Sequence, residues 1–259
     1  MLAVPNFSEG RDRDTLAALG AALGPGLIHA SADADHHRAV FTVTGEPGAL
    51  AETVLNAARV AVERIDLTTH AGVHPRVGAI DVAPIVYLAD EERGAACAEA
   101  LILADRLGHE LALPVYLYGA LAGGRTRAEL RRPGALEHLH PDAGPARLHP
   151  TAGAVLVAAR PPLAAFNVYV DASLQQAKEI AAHLRGPAVK ALGLELESAG
   201  KVQVSTNIED LTATTPGAVV RAVQQHARVT GAELVAPAPR SAFESFPPDV
   251  PLTGAPLLD

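Results

Sequence analysis

His70 and His74 stand four residues apart in the stretch His70-Ala-Gly-Val-His74-Pro-Arg76-Val-Gly-Ala-Ile-Asp81-Val-Ala-Pro84. The stretch gathers two imidazoles, a guanidinium and a carboxylate, and its two glycines and two prolines shape it as a loop running into a short strand. A neutral imidazole titrating near pH 7 is the side chain best matched to moving a proton on and off a substrate nitrogen. Arg76 can clamp a carboxylate through paired donors or stabilise charge at a reacting carbon. Asp81 can orient a histidine or pair with Arg76. On a helix, the four-residue spacing would place both rings on one face as metal ligands, but Gly72 and Pro75 oppose a helix here. A metal site assembled with Asp33, Asp35, His36 and His37 would follow no ligand spacing that we can justify, and no cysteine supports it. A loop histidine can also satisfy backbone groups and do nothing more. Three polar groups on one shaped loop keep catalysis open beside that plainer reading.

Two further stretches carry polar groups at places suited to a ligand. In Val4-Pro-Asn6-Phe-Ser8-Glu-Gly10, a strand delivers Asn6 and Ser8 to the start of a helix, where amide and hydroxyl groups can meet an anion. Ser8 can equally be a helix cap and nothing else. The run Gly144-Pro145-Ala146-Arg147-Leu148-His149-Pro150-Thr151-Ala152-Gly153 is rich in turn formers and offers backbone donors that could line a flat heterocycle or merely connect two elements. No glycine-rich phosphate motif of familiar spacing is present.

The elements that must hold these stretches follow from hydrophobic patterning. Strand-like sequence over 2–7 is followed by a helix over 12–23, strands over 26–31 and 39–44, and a helix entered at Glu46-Pro47 and running to Arg64. A strand over 79–88, a helix over 90–111, a strand over 114–118, a basic helical segment over 125–136 and a strand over 154–158 complete the first part. The order restarts with a strand over 166–170, a helix over 174–184, strands over 190–197 and 201–207, a helix over 216–229 and a last strand beginning at Leu234. Strand, helix, strand, strand, helix, strand thus appears twice, each copy opening with an asparagine, Asn6 and Asn167. The pattern predicts an α+β protein of two tandem ferredoxin-like subdomains, 1–160 and 161–245, hinged near Arg160-Pro161-Pro162. Each is a mixed sheet covered by helices, the two facing across a cleft that serves as the ligand site. Residues 246–259 form a Pro-rich tail, poorly ordered or docked.

At 259 residues the chain is long enough for sizeable cores, and with 49% hydrophobic but only 3% aromatic residues these must be built from Ala, Val and Leu. A net charge of −8 argues against wrapping nucleic acid or an anionic membrane. Cys97 is the only cysteine, read as a buried inert thiol, and its isolation points to the reducing cytoplasm. No secretory leader and no unbroken apolar run of bilayer length is expected.

Taken together and in order, Val4–Gly10, His37-Arg38 with Val40-Phe41-Thr42, His70–Val82, Pro114–Tyr118, Gly144-Pro145, Phe166-Asn167-Val168 and Gln203–Asn207 resemble the formiminotransferase domain of glutamate formimidoyltransferases, over nearly the whole chain. The resemblance implies two α/β subdomains and a homodimer. It implies transfer of a formimino group from N-formimino-L-glutamate to the five-position nitrogen of tetrahydrofolate, the co-substrate, in histidine degradation. The family's catalytic histidine falls on His74 and its folate-lining loop on Gly144–Gly153. Asn6, Ser8, Arg38 and Arg76 are the expected substrate contacts, the two arginines neutralising carboxylates. The sequence departs from the family at Ser31, where members commonly carry an Asp that Asp33 or Asp35 could replace. A second reading from another class is a catalytically weakened relative that binds a folate or another acidic small molecule.

Overall fold

In the computed structural model, which describes residues 1–259, Pro5 splits the opening strand in two, β1 (Leu2–Ala3) and β2 (Asn6–Phe7). A proline has no N–H to give to a ladder. Phe41 N–H still reaches the Pro5 carbonyl at 3.1 Å and Val4 N–H the Pro84 carbonyl at 3.0 Å, so each proline accepts in a ladder to which it cannot donate. After β2 come α1 (Arg13–Leu23), capped by Asp12, then β3 (Leu27–Asp33), β4 (Arg38–Thr44) and α2 (Leu50–Arg64). Pro47 stands in a turn ahead of α2 rather than in its first turn as expected. Next are β5 (Ile80–Val86), α3 (Arg93–Glu110), β6 (Val115–Leu117), the single-turn α4 (Arg127–Leu130) and β7 (Val155–Arg160). The helix expected over 125–136 is thus one turn. Pro133 and Gly134, the latter at φ 75°, break it.

These elements form the first of two compact units, Met1–Pro161 and Pro162–Asp259. Its seven-stranded sheet runs β3-β4-(β1, β2)-β5-β7-β6, antiparallel up to β5 and parallel beyond. The first four positions are the ferredoxin-like arrangement read from the repeat, while β7 and β6 extend the β5 edge. α1, α2 and α3 cover one face through an aliphatic core that includes Leu19, Leu55, Ile85 and Leu103. On the other face the segment between β6 and β7 lays Leu130 over Val82, Tyr116 and Leu156. Ala49, at the start of α2, offers no capping side chain; the buried carboxylate of Glu99 on α3 serves instead, accepting from Gly48 N–H and Ala51 N–H, both at 2.6 Å. Cys97 on α3 is half-buried against the core, not fully enclosed.

The second unit contains β8 (Ala164–Asp171), α5 (Leu174–Leu184), β9 (Val189–Leu196), β10 (Lys201–Ile208), α6 (Pro216–Gln224), β11 (Arg228–Leu234), β12 (Ala238–Pro239), β13 (Leu252–Gly254) and β14 (Leu257–Leu258). Its sheet order, β13-β11-β8-β10-β9, is again ferredoxin-like with one added edge strand. The helix expected over 216–229 ends at Gln224, and Arg228 already belongs to β11. The apolar spacing of 219, 220, 223, 227 and 229 continues a helical period into a strand, so periodicity alone misplaces the boundary. The tail is docked: β13 pairs parallel with β11, β14 with β12, and Phe246 packs edge-on to Phe166 at 6.0 Å. No helix is long and apolar enough to cross a membrane.

Candidate active site

β5 is irregular where it passes β2. Asn6 pairs with Val82 but Phe7 with Ile80, which leaves Asp81 as the extra residue of a bulge. A bulge re-aims side chains. Ile80 joins the core beneath the helices, whereas Val82 joins the cluster on the opposite face. Asp81, fully buried, accepts from Arg38 Nη1 at 2.6 Å, from Arg131 Nη2 and from Val77 N–H at 2.7 Å. Arg38 also donates to Asn6 Oδ1, from Nη2 at 2.8 Å, while Asn6 Nδ2 is tied to Val4 O. Burial pushes the Arg38 guanidinium down to about 10 although Asp81 draws it back, so it stays charged at neutral pH. Burial would raise the Asp81 carboxyl, but Arg131 and Arg38 hold it well below the usual carboxylate range. One carboxylate between two guanidiniums leaves a local excess of positive charge.

His74 lies in the field of this cluster. Its Nδ1 faces Pro75 O at 2.7 Å, and because a carbonyl only accepts, Nδ1 carries the proton and Nε2 keeps its lone pair. Protein crowds the ring, and the residue as a whole retains partial solvent exposure. That crowding, together with Arg38 and Arg131, holds the imidazole well below its ordinary value, so it is neutral at pH 7. The arrangement is a neutral base beside a cationic cluster. It can accept a proton at Nε2 and favours an anionic ligand, whose charge would raise the basicity of that nitrogen.

The loop bearing His74 is held from behind. Arg76 donates to four backbone carbonyls, those of His74 (2.6 Å), Gly72 (3.0 Å), His36 (3.3 Å) and His37 (3.4 Å). It also contacts Nδ1 of His70, whose Nε2 faces Ser8 O at 2.9 Å. Burial and Arg76 push His70 down to about 4. Ser8, only 1% exposed, donates its hydroxyl to Gly78 O at 2.8 Å. Arg76 and Ser8, read from sequence as substrate contacts, therefore direct these groups at the backbone and position the loop. Of Ser8, Asp12 and Asp14, all suited by type to cap the first helix, Asp12 does so. His37, at φ 47°, stacks on His70 with ring centroids 3.8 Å apart and reaches Glu9 Oε1 at 3.1 Å. Burial would raise the Glu9 carboxyl, but the N–H groups of Asp12 and Arg11 and the His37 ring lower it.

Residues 144–153 divide in two. Gly144 packs on helix α3, where a Cβ would lie 2.2 Å from Leu113 O, and Pro145 to Leu148 are exposed. His149 to Gly153 close on themselves and stitch to the His74 segment through Ala79 N–H to Ala152 O (2.9 Å) and Ala154 N–H to Val77 O (2.9 Å). A Cβ on Gly78 would fall 1.7 Å from Ala154 O, so only glycine permits this approach. Asp33, considered a stand-in for the aspartate absent at Ser31, accepts from His36 N–H at 2.7 Å and closes the turn before β4. No group of three or more His, Cys, Asp or Glu is arranged to hold a metal ion. The structure thus brings His74, Arg38 and Asn6 together, and adds Arg131, which sequence reasoning passed over. Its signal was the density of arginines over 125–132, visible only as a basic segment.

The model of the formiminotransferase domain, N-terminal subdomain, matches residues 1–160. Over 266 aligned positions the chain is 34% identical to a glutamate formimidoyltransferase of Streptococcus pyogenes serotype M1, covering 93% of this chain and 89% of that one. It is 33% identical over 228 positions to a glutamate formimidoyltransferase of Thermoplasma acidophilum, covering 79% and 75%. A formimidoyltransferase-cyclodeaminase of Gallus gallus is 36% identical over 271 positions, covering 93% of this chain and 50% of that one, so the chain spans about half of that relative's length.

Proposed function

Since the chain belongs to the formiminotransferase family, we propose that it transfers the formimino group of N-formimino-L-glutamate to the five-position nitrogen of tetrahydrofolate, with His74 as general acid and base. The observation that carries this reading is the tautomer of His74. With Nδ1 bound to Pro75 O, a neutral ring presents an uncommitted lone pair at Nε2. The transfer needs one proton removed from the attacking nitrogen and one delivered to the departing glutamate nitrogen. Nε2 accepts the first, and the resulting imidazolium returns it, so the ring ends as it began. Arg38 and Arg131, sharing Asp81, neutralise carboxylate charge on the ligands. Asn6 acts through Arg38, and Arg76 and Ser8 through the loop they hold.

Tetrahydrofolate is the co-substrate in this reading. Residues 144–153 line it, a role supported by the anchoring of 149–153 beside Val77 and Ala79 and by the exposure of 145–148, Leu148 being 48% exposed. The chain acts as a cytoplasmic homodimer, the state the resemblance implies, and sedimentation of the purified protein checks the dimer. The deciding experiment is an assay with both substrates on the wild type and on His74→Ala. Transfer by the wild type, abolished in the variant while calorimetry still detects tetrahydrofolate binding, supports the proposal. Tetrahydrofolate binding without any transfer by the wild type would favour the binding-module reading instead.

A further inference from the structure

Among the polar atoms of the first unit that stand buried with nothing to bond, two belong to the surroundings of the Asp81 ion cluster. Tyr118, at the end of β6, is 6% exposed, and its hydroxyl is buried without a hydrogen-bond partner. Nε of Arg131, one residue beyond α4, is in the same condition, although Nη2 of that side chain reaches Asp81. Buried polar groups are nearly always paired, so two orphans in one region call for an explanation. They share surroundings. Tyr118 packs in the apolar cluster with Val82 and Leu130, the chain neighbours of Asp81 and Arg131. The Arg127 guanidinium lies over the Tyr118 ring, 5.7 Å from its centroid. In the order β5-β7-β6, Leu117 is level with Val157 and Ala83, so Tyr118 lies two strands across from β5 and further along it than Asp81, whereas His74 precedes the start of β5 at Ile80. Tyr118 thus stands beyond Asp81 from the His74 segment.

Both orphans are donors, an O–H and an N–H, and the ion cluster beside them carries one guanidinium more than its carboxylate balances. A ligand group that satisfies two donors and one surplus positive charge is a carboxylate. The reacting nitrogen of a formimino amino acid sits on Cα, so a carboxylate held beyond the cluster from His74 is the distal one, with its methylenes against the apolar wall of Val82 and Leu130. Building on the transferase reading, we infer that Tyr118 and Arg131 seat the side-chain carboxylate of the formimino donor, and that Tyr118 is a specificity-determining residue.

The test compares N-formimino-L-glutamate with N-formimino-L-glutamine, which has the same shape but a neutral side chain, on the wild type and on Tyr118→Phe. Loss of one hydrogen bond to a carboxylate raises KM for the glutamate donor about tenfold. KM for the glutamine donor stays within about twofold, and kcat for both is retained. Because the hydroxyl bonds to nothing in the free protein, Tm is unchanged or higher. Equal changes for the two donors, or none for either, overturn the inference while leaving the transferase reading intact. Should the wild type transfer from neither donor, the transferase reading fails, and calorimetry with glutarate still decides the subsite. Binding that weakens severalfold in Tyr118→Phe supports it, and absent or unaltered binding overturns it.

Discussion

Asn6 and Asn167 occupy the same place in the two units, on the opening strand of each βαββαβ run, and their surroundings have diverged. Asn6 pairs in register with Val82 on β5, beside the bulge that exposes Asp81 to two arginines, and it accepts from a buried guanidinium. Asn167 pairs with Glu233 on β11, the topological counterpart of β5, and donates to its carboxylate at 3.0 Å, as Tyr169 does at 2.8 Å. One unit therefore holds a buried cationic cluster beside two neutral histidines. The other holds a carboxylate satisfied by neutral donors. The bulge of β11 falls between Val229 and Gly231, away from Asn167, so the two sheets place their irregularities differently. A shared backbone plan does not fix the chemistry; one inserted residue, Asp81, separates them.

The sharpest way to break this contrast is to exchange the charges it rests on. His74→Ala is expected to lower kcat/KM by about 10²–10⁴-fold, the usual contribution of a positioned general acid and base, whereas Asn167→Ala lowers it by less than about tenfold. Equal losses in the steady-state assay would end the asymmetry. Asp81→Asn leaves two buried guanidiniums facing a neutral amide and is expected to destabilise the protein by about 3–5 kcal/mol in urea unfolding. Glu233→Gln, which keeps acceptor capacity for Asn167 and Tyr169, is expected to cost about 1 kcal/mol.

Acid should separate the units as well. His70 and His74 are held below their ordinary values in the folded protein, so an unfolded chain binds more protons than the folded one once pH drops below about 6.5. Their contribution is full above that pH and is lost on acidification, for His70 down to about 4. Hydrogen exchange followed by peptide mass spectrometry from pH 7 to pH 4 should show protection falling in 1–161 before 162–259. The opposite order would remove the argument. The smallest effect concerns the pH–rate profile. Arg131 lowers the basicity of His74, so Arg131→Gln is expected to move the acid limb of kcat/KM upward, toward pH 6.5. An unmoved limb would detach Arg131 from His74.

How far the sequence disclosed this arrangement depends on the range of the forces involved. The helix Leu174–Leu184 was legible to the residue because its signals are local: Ser173 and Gln176 form a capping box and the apolar spacing is helical. The repeat of elements was legible for the same reason. The short life of α6 was not, since the spacing that ends it also begins β11, and the sheet decides between them. Within the site, the loop around His74 announced itself through its glycines and prolines. The bulge at Asp81 arises from pairing with β2, seventy-odd residues earlier, and no local signal marks it. Arg131 meets Asp81 across fifty residues of chain. Arg76 reads as a ligand clamp because a guanidinium beside a histidine suits either task, and its bonds to four carbonyls of distant or loop residues have no local signal.

Glu99 bears on how the first unit comes into being. The N–H groups that open α2 wait for an acceptor 48 to 51 residues further along the chain. The start of α2 therefore has no side-chain acceptor until α3 has been made and has docked against it. A Glu99→Ala chain is expected to refold more slowly than one altered at an ordinary local cap, which stopped-flow refolding checks.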